Sequence, residues 1–242
     1  MNKKMNVKDT PFAALVLLIA GFAVYGMFSM SGSISNYSNA SADVLATGLP
    51  YTPPLTSEAE KPKLIFTDVD TAHDNAVAIA YFKQNGIVAG YDDGSFKPGN
   101  LVSRAEFMKI LAESVDADLT AGVYEKCFKD INREWYAVYA CYGAQNKWVN
   151  GFEDGTFKPL ETVTKAAALK SSFIALGITL PTSVTVKPFT DVALDIWYAP
   201  VAEYAKNAGI VVGRAFLGDL SLSRATTVQL IYDVLKSAGK VK

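Results

Sequence analysis

Chemically reactive side chains are scarce in this chain. One histidine, His73, stands among 242 residues, and the two cysteines, Cys127 and Cys141, lie close together in sequence. A nucleophile–base pair such as Ser-His-Asp has only that histidine to draw on, and no such arrangement is spelled out around it. Two cysteines and one distant histidine also make a poor metal site. No charge of one sign dominates: the net charge is −1, and from residue 62 onward 19 Lys and Arg face 20 Asp and Glu. A nucleic-acid binder normally carries a basic excess or a basic face, so that class is set aside. Long apolar runs are missing too, with one exception.

The exception is PFAALVLLIAGFAVYGMFSM, residues 11–30, which has no charge and follows Lys3, Lys4 and Lys8. Twenty helical residues at ~1.5 Å each cover the ~30 Å hydrocarbon core of a bilayer. Positive charge on its leading side keeps the N-terminus in the cytoplasm and sends the remainder outside. Residues 1–31 therefore read either as a retained membrane anchor or as a signal peptide. The apolar run of a signal peptide is usually ~7–15 residues, and Ala40-Ser41-Ala42 offers a cleavage triplet. Both readings export the rest. Residues 32–63 are rich in Ser, Asn, Thr and Pro without periodicity. They read as a flexible tether, stiffer around Pro50, Pro53 and Pro54.

What the chain has in abundance is one phrase. GYDDGSFKPGNLVSRAE at 90–106 returns as GFEDGTFKPLETVTKAA at 151–167, and in shortened form as GRAFLGDLSLSRAT at 213–226. Each copy is preceded by Phe-x-Asp (Phe66 and Asp68, Phe128 and Asp130, Phe189 and Asp191) and an aromatic-rich segment of helical periodicity. A second helical segment follows each loop. In the first copy Phe107, Ile110, Leu111, Ser114 and Val115 share one face, and Ser103 with Glu106 spells a capping box. Thr164 and Ser223 cap the other two, where Ala167 and Thr226 break the box. The spacing predicts a mainly α protein of three helix-loop-helix units, 64–123, 124–186 and 187–242, packed together because each is too small to fold alone. Asp68, Asp130 and Asp191 of the openings read as caps or turn residues, and His73 as a surface or capping residue. The DDG and EDG runs lack the ligand spacing of a calcium loop. In an exported protein Cys127 and Cys141 are expected to form a disulfide.

The ordered set of Phe-Thr-Asp-Val openings, Trp-Tyr-Ala on the first helix, the Gly-Tyr-x-Asp-Gly loop and Ser-Arg-Ala-Glu at the second helix resembles the S-layer homology family. The resemblance spans residues 64–242. It implies a pseudo-threefold spindle that binds a secondary cell-wall polysaccharide, typically at a pyruvate ketal, in grooves between units. It also implies that the Arg opening each second helix holds the ligand: Arg104, Arg224 and, as a substitute, Lys165.

The residues themselves support such chemistry. An arginine after the cap sits where unpaired amides and the helix dipole favour an anion, and its planar fork matches a carboxylate. Lys165 offers a point charge without the fork. With Ser103, the glycines Gly90, Gly94 and Gly151 are expected to let a glycan approach the loop backbone. Tyr91, Phe96, Trp135 and Trp197 are expected to offer flat faces to sugar rings, against the alternative that the tryptophans belong to the core. The copy at 90–106 is the best preserved.

The expectation is a non-catalytic cell-surface protein, without cofactor, tying membrane (through residues 11–30) to wall glycan. The alternative is an assembly protein whose grooves take protein partners. A carboxylate-pair glycosidase is a third class, but the three units leave no room for a separate catalytic domain.

Overall fold

The computed structural model describes residues 63–120, 122 and 124–241. The apolar run at 11–30 and the tether up to residue 62 lie outside them. No helix among the described residues is long and apolar enough to cross a membrane. A short antiparallel hairpin, β1 (Leu64–Phe66) and β2 (Val69–Asp70), opens the body and was not foreseen. Six helices follow: α1 (Ala76–Gln84), α2 (Arg104–Ser114), α3 (Ala137–Gln145), α4 (Lys165–Ala175), α5 (Ala199–Asn207) and α6 (Arg224–Ser237).

The starts of α2, α4 and α6 are set by their caps. Ser103, Thr164 and Ser223 are in extended backbone, and their hydroxyls accept from the amides of Glu106, Ala167 and Thr226. Only α2 completes the reciprocal box, with the Ser103 amide donating to Glu106 Oε2 at 2.8 Å. That extra bond satisfies a second end group of the helix.

These three helices pack on one another at the centre, and each also packs on the first helix of the next unit: α2 on α3, α4 on α5, and α6 back on α1. The chain therefore closes into a ring. Just ahead of the helices three backbone bonds close it at the axis. Val102 N donates to Leu222 O, Leu222 N to Val163 O and Val163 N to Val102 O, at 3.0, 3.1 and 2.9 Å. Contact among these helices is thus the core of the described fold.

The repeated loop is built inward. Its phenylalanine, Phe96, Phe157 or Phe216, is fully buried and packs on the opening Phe66, Phe128 or Phe189 with centroids 5.3, 5.4 and 5.5 Å apart. Phe96 is therefore a core plug, which removes it as a sugar platform. The residue after each plug (Lys97, Lys158, Leu217) has φ near +55°, a conformation that costs an L-residue roughly 1 kcal/mol. The opening aspartates offset that strain. Each carboxylate receives two successive amides, Asp68 from Phe96 and Lys97, Asp130 from Phe157 and Lys158, Asp191 from Phe216 and Leu217, all at 2.7–2.8 Å. Charge-assisted bonds of this kind are the strong ones. The aspartates are turn clamps, as expected from sequence.

His73 also serves a turn: its Nδ1 accepts from the Asn75 amide at 3.0 Å. Cys127 and Cys141 form a disulfide that ties the opening of the second unit to α3.

Candidate glycan groove

The arginines do not act within their own units. Arg104 reaches across to the loop of the second unit, where its Nε donates to Phe157 O at 2.8 Å. Its guanidinium lies 4.9 Å from the Phe152 centroid and 4.6 Å from that of Phe157. Arg224 repeats this on the loop of the first unit, donating to Phe96 O at 2.8 Å beside Tyr91 and Phe96. Lys165 turns to the third unit and sits 5.3 Å from the Phe216 ring. The expected partnership of Arg104 with Gly90 and Gly94 is thereby corrected. Gly90 and Tyr91 belong beside Arg224, and Gly151 beside Arg104.

The helix-terminus part of the expected anion site is also corrected. The Arg104 amide donates to Glu161 O and the Ala105 amide to Pro159 O, at 2.8 and 3.0 Å, and the Glu106 amide is capped by Ser103. The first amides of α4 and α6 are occupied in the same way by Leu220 and Gly218, and by Asn100 and Pro98. Neighbouring loops have taken the donors an anion would need. Ser103 is likewise engaged in its capping box, its hydroxyl bonded to Glu106 Oε2 at 2.8 Å. The glycines have a packing reason instead of a ligand one. Gly151 has φ +70°, and a Cβ there would meet Phe128 Cε1 at 2.5 Å and Thr156 O at 2.7 Å; Gly90 is placed the same way against Phe66 and Ser95. Gly94, at φ +77°, lies against the Thr67 methyl and accepts the Thr67 amide.

What remains is the guanidinium, and it opens on a groove. A cleft of about 340 Å³ is lined by Arg104 from the first unit, Trp148 to Phe152 with Ala167, Lys170 and Ser171 from the second, and Trp197 from the third. No carboxylate lines it. Arg104 forms no salt bridge among the described residues. Burial presses its pKa downward, and the charges of Glu161 and Asp130 oppose that; an arginine stays protonated regardless. With Nε held by Phe157 O, the terminal nitrogens of the fork are left to the cleft. Lys170 adds a second positive charge, its Nζ 5.4 Å from the Trp197 ring. Trp197 is 53% exposed and Trp135 57%, whereas Trp148 is buried. Trp135 stands edge-on to Tyr136 and Tyr139 and does not line this cleft.

A second inter-unit cleft of about 240 Å³ contains Lys165 with Asn75, Val212, Gln229 and Asp233. Burial lowers the Lys165 pKa, which Asp191 opposes, and burial raises that of Asp233. One cation and one carboxylate make this a mixed-charge groove. Lys170 and Phe152 were missed by sequence reasoning, although a signal existed: Lys109, Lys170 and Gln229 occupy the sixth position of α2, α4 and α6.

The family model described as the S-layer homology domain matches residues 65–108 and 128–169. Two S-layer homology repeats are thereby identified at these residues. Its relatives include a cellulosome-anchoring protein of Acetivibrio thermocellus, 29% identical over 153 residues, 61% of this chain and 34% of that protein. A surface layer protein of Brevibacillus choshinensis is 30% identical over 95 residues, 38% of this chain and 8% of the relative. An S-layer protein of Bacillus anthracis is 29% identical over 184 residues, 72% of this chain and 20% of the relative. The chain thus spans about a third or less of the length of these relatives.

Proposed function

We propose that the chain is a non-catalytic surface protein that grips an anionic cell-wall polysaccharide through its S-layer homology repeats. The observation carrying this is the carboxylate-free groove that unites a held guanidinium, a lysine ammonium and an exposed indole face from three units. A sugar bearing a carboxylate, such as a pyruvate ketal, meets the fork of Arg104 and the charge of Lys170, while its ring stacks on Trp197. In this reading residues 187–242 are a third repeat, since Asp191 clamps its loop as Asp68 and Asp130 clamp theirs. The three repeats form one pseudo-threefold body. The groove at Arg104 is the principal site, Arg224 with Tyr91 a second, and the Lys165 cleft a weakened one. The apolar run at 11–30 links the body to the membrane.

The relatives' names, cellulosome anchoring and S-layer, agree with attachment at a cell surface. The test is co-sedimentation of the full chain with purified wall sacculi, with and without acid removal of ketal groups. Lys170→Gln with Trp197→Ala, neither of which supports the fold's ring closure, is expected to abolish most retention, and ketal removal to do the same to the wild type. Undiminished retention in both arms would sink the assignment.

A further inference from the structure

The third unit differs from the others in one structural respect with a chemical consequence. In the first two units the opening segment closes on the glycine of the turn, Thr67 N donating to Gly94 O and Lys129 N to Gly155 O. In the third, Thr190 N donates at 2.9 Å to Arg214 O, directly after Gly213, because the turn is missing. A Cβ added at Gly90 or Gly151 would strike the opening phenylalanine, but at Gly213 it would meet nothing within 4 Å. The space is an open cleft of about 510 Å³ with Lys187, Thr190, Lys206 and Arg214 on its walls, beside the buried Phe189.

Three cations and no carboxylate line this cleft, and among the described residues none of the three is salt-bridged. Lys206 is held in place: its Nζ donates to Pro188 O at 2.7 Å, leaving two N–H donors. The concentration is particular to this unit. The positions equivalent to Lys187, Thr190, Lys206 and Arg214 are Leu64, Thr67, Lys83 and Tyr91 in the first unit, with one cation, and Lys126, Lys129, Ala144 and Phe152 in the second, with two. Like charges gathered around a concavity repel one another, and no bond of the fold requires Lys187 or Arg214 to be charged. The cleft shares no lining residue with either inter-unit groove.

We propose that this cleft is a second, separate anion site that takes successive phosphate groups of a phosphodiester polymer. A single carboxylate would leave two of three charges unanswered, whereas a chain with a negative charge at every repeat answers all three. Two lysines supply point charges that tolerate a flexible polymer, and Arg214 supplies one fork. The concave shape admits a chain and denies contact to a flat bilayer. The site operates independently of the groove at Arg104.

The test is isothermal titration of the full chain with a glycerol phosphate hexamer at low ionic strength. Binding is expected, with a log affinity that falls against log salt at a slope of about two to three. Lys187→Gln combined with Arg214→Gln is expected to weaken it about tenfold or more, and Lys170→Gln with Trp197→Ala to leave it unchanged. A hexamer of uronic acid should bind distinctly more weakly. No binding by the wild type overturns the proposal, as does equal affinity for the uronate, or an undiminished double variant. Binding of phosphatidylglycerol vesicles without binding of the hexamer overturns it in favour of a membrane surface.

Discussion

Replacing Arg104 by alanine tests whether this side chain holds the fold as well as the ligand. Three contacts would go at once. The first is the bond from a charged Nε to Phe157 O at 2.8 Å, of a class worth about 1.5–3 kcal/mol. The other two are the approaches to the Phe152 and Phe157 rings, about 0.5–1 kcal/mol each where water has access. Against these stands the desolvation of the guanidinium, visible in its lowered pKa. The net expectation is a loss of about 2–3 kcal/mol, taking the low end of each contribution. For a body of this size each kcal/mol moves the melting temperature by about 2–4 °C, so the variant should melt about 5–10 °C lower. Arg104→Lys, which keeps the charge and stem but loses the fork, should fall between the two.

The chain supplies its own control. At the equivalent position Lys165 faces Phe216, and among the described residues no hydrogen bond reaches the Phe216 carbonyl oxygen. Lys165→Arg should therefore raise stability by about 0.5–1 kcal/mol, the worth of one new partly exposed bond. Thermal melts followed by circular dichroism, with urea midpoints as a check, decide the matter. Arg104→Ala melting within about 1 °C of the wild type would refute the reasoning, because a bond and two ring contacts cannot vanish without effect.

Other expectations concern local devices. Reducing the Cys127–Cys141 disulfide, or replacing both cysteines by serine, removes a loop constraint spanning 14 residues and should lower stability by about 3 kcal/mol in the chain-entropy description, read by calorimetry with and without reductant. Ser103→Ala removes the only complete capping box among the described residues and should lower stability by about 1–2 kcal/mol, whereas Thr164→Ala, with a 3.4 Å cap bond and no return bond, should lose less. Asp233 is held protonated to higher pH in the folded chain by burial. The folded state then binds its proton more tightly than the unfolded state, so stability is full below the ordinary aspartate value of 3.8 and declines as pH rises through the higher folded value. Asp233→Asn, able to keep the bond from Gln229, should remove that decline and be indistinguishable from the wild type in acid; a pH series of urea midpoints reads this directly.

The units were legible in the sequence because local rules agree with the fold there. Ser103, Thr164 and Ser223 stand immediately before apolar periodicities, and a cap acts only on its own helix. The aspartates of Phe-x-Asp were readable as turn residues for a similar reason, although their amide partners lie 25–29 positions away. The site was less legible, because the relevant neighbours belong to different copies. A repeat invites the reader to complete each copy from within, placing Arg104 over Gly90. The ring of backbone bonds among Val102, Val163 and Leu222 instead rotates every helix start onto the next loop.

That rotation also decides which copy matters. Judged in sequence, the first copy is the most intact, and the second is weakened by Lys165 and Ala167. In space the second copy's loop receives the first copy's arginine, and its α4 contributes Lys170, so the more cationic of the two inter-unit grooves is assembled on the copy that looked degraded. Lys165 exports its weakness to the third unit, where the cleft also contains Asp233. Preservation of a motif within one repeat therefore does not rank the grooves. A groove's strength is set by the residue that opens one unit's second helix, together with the loop and sixth helical residue of the unit after it. Exchanging Lys170 and Gln229 between α4 and α6 should accordingly shift acidic-glycan affinity away from the Arg104 groove without altering any copy of the repeated phrase. If affinity instead followed the phrase, the inter-unit assembly of the site would be wrong.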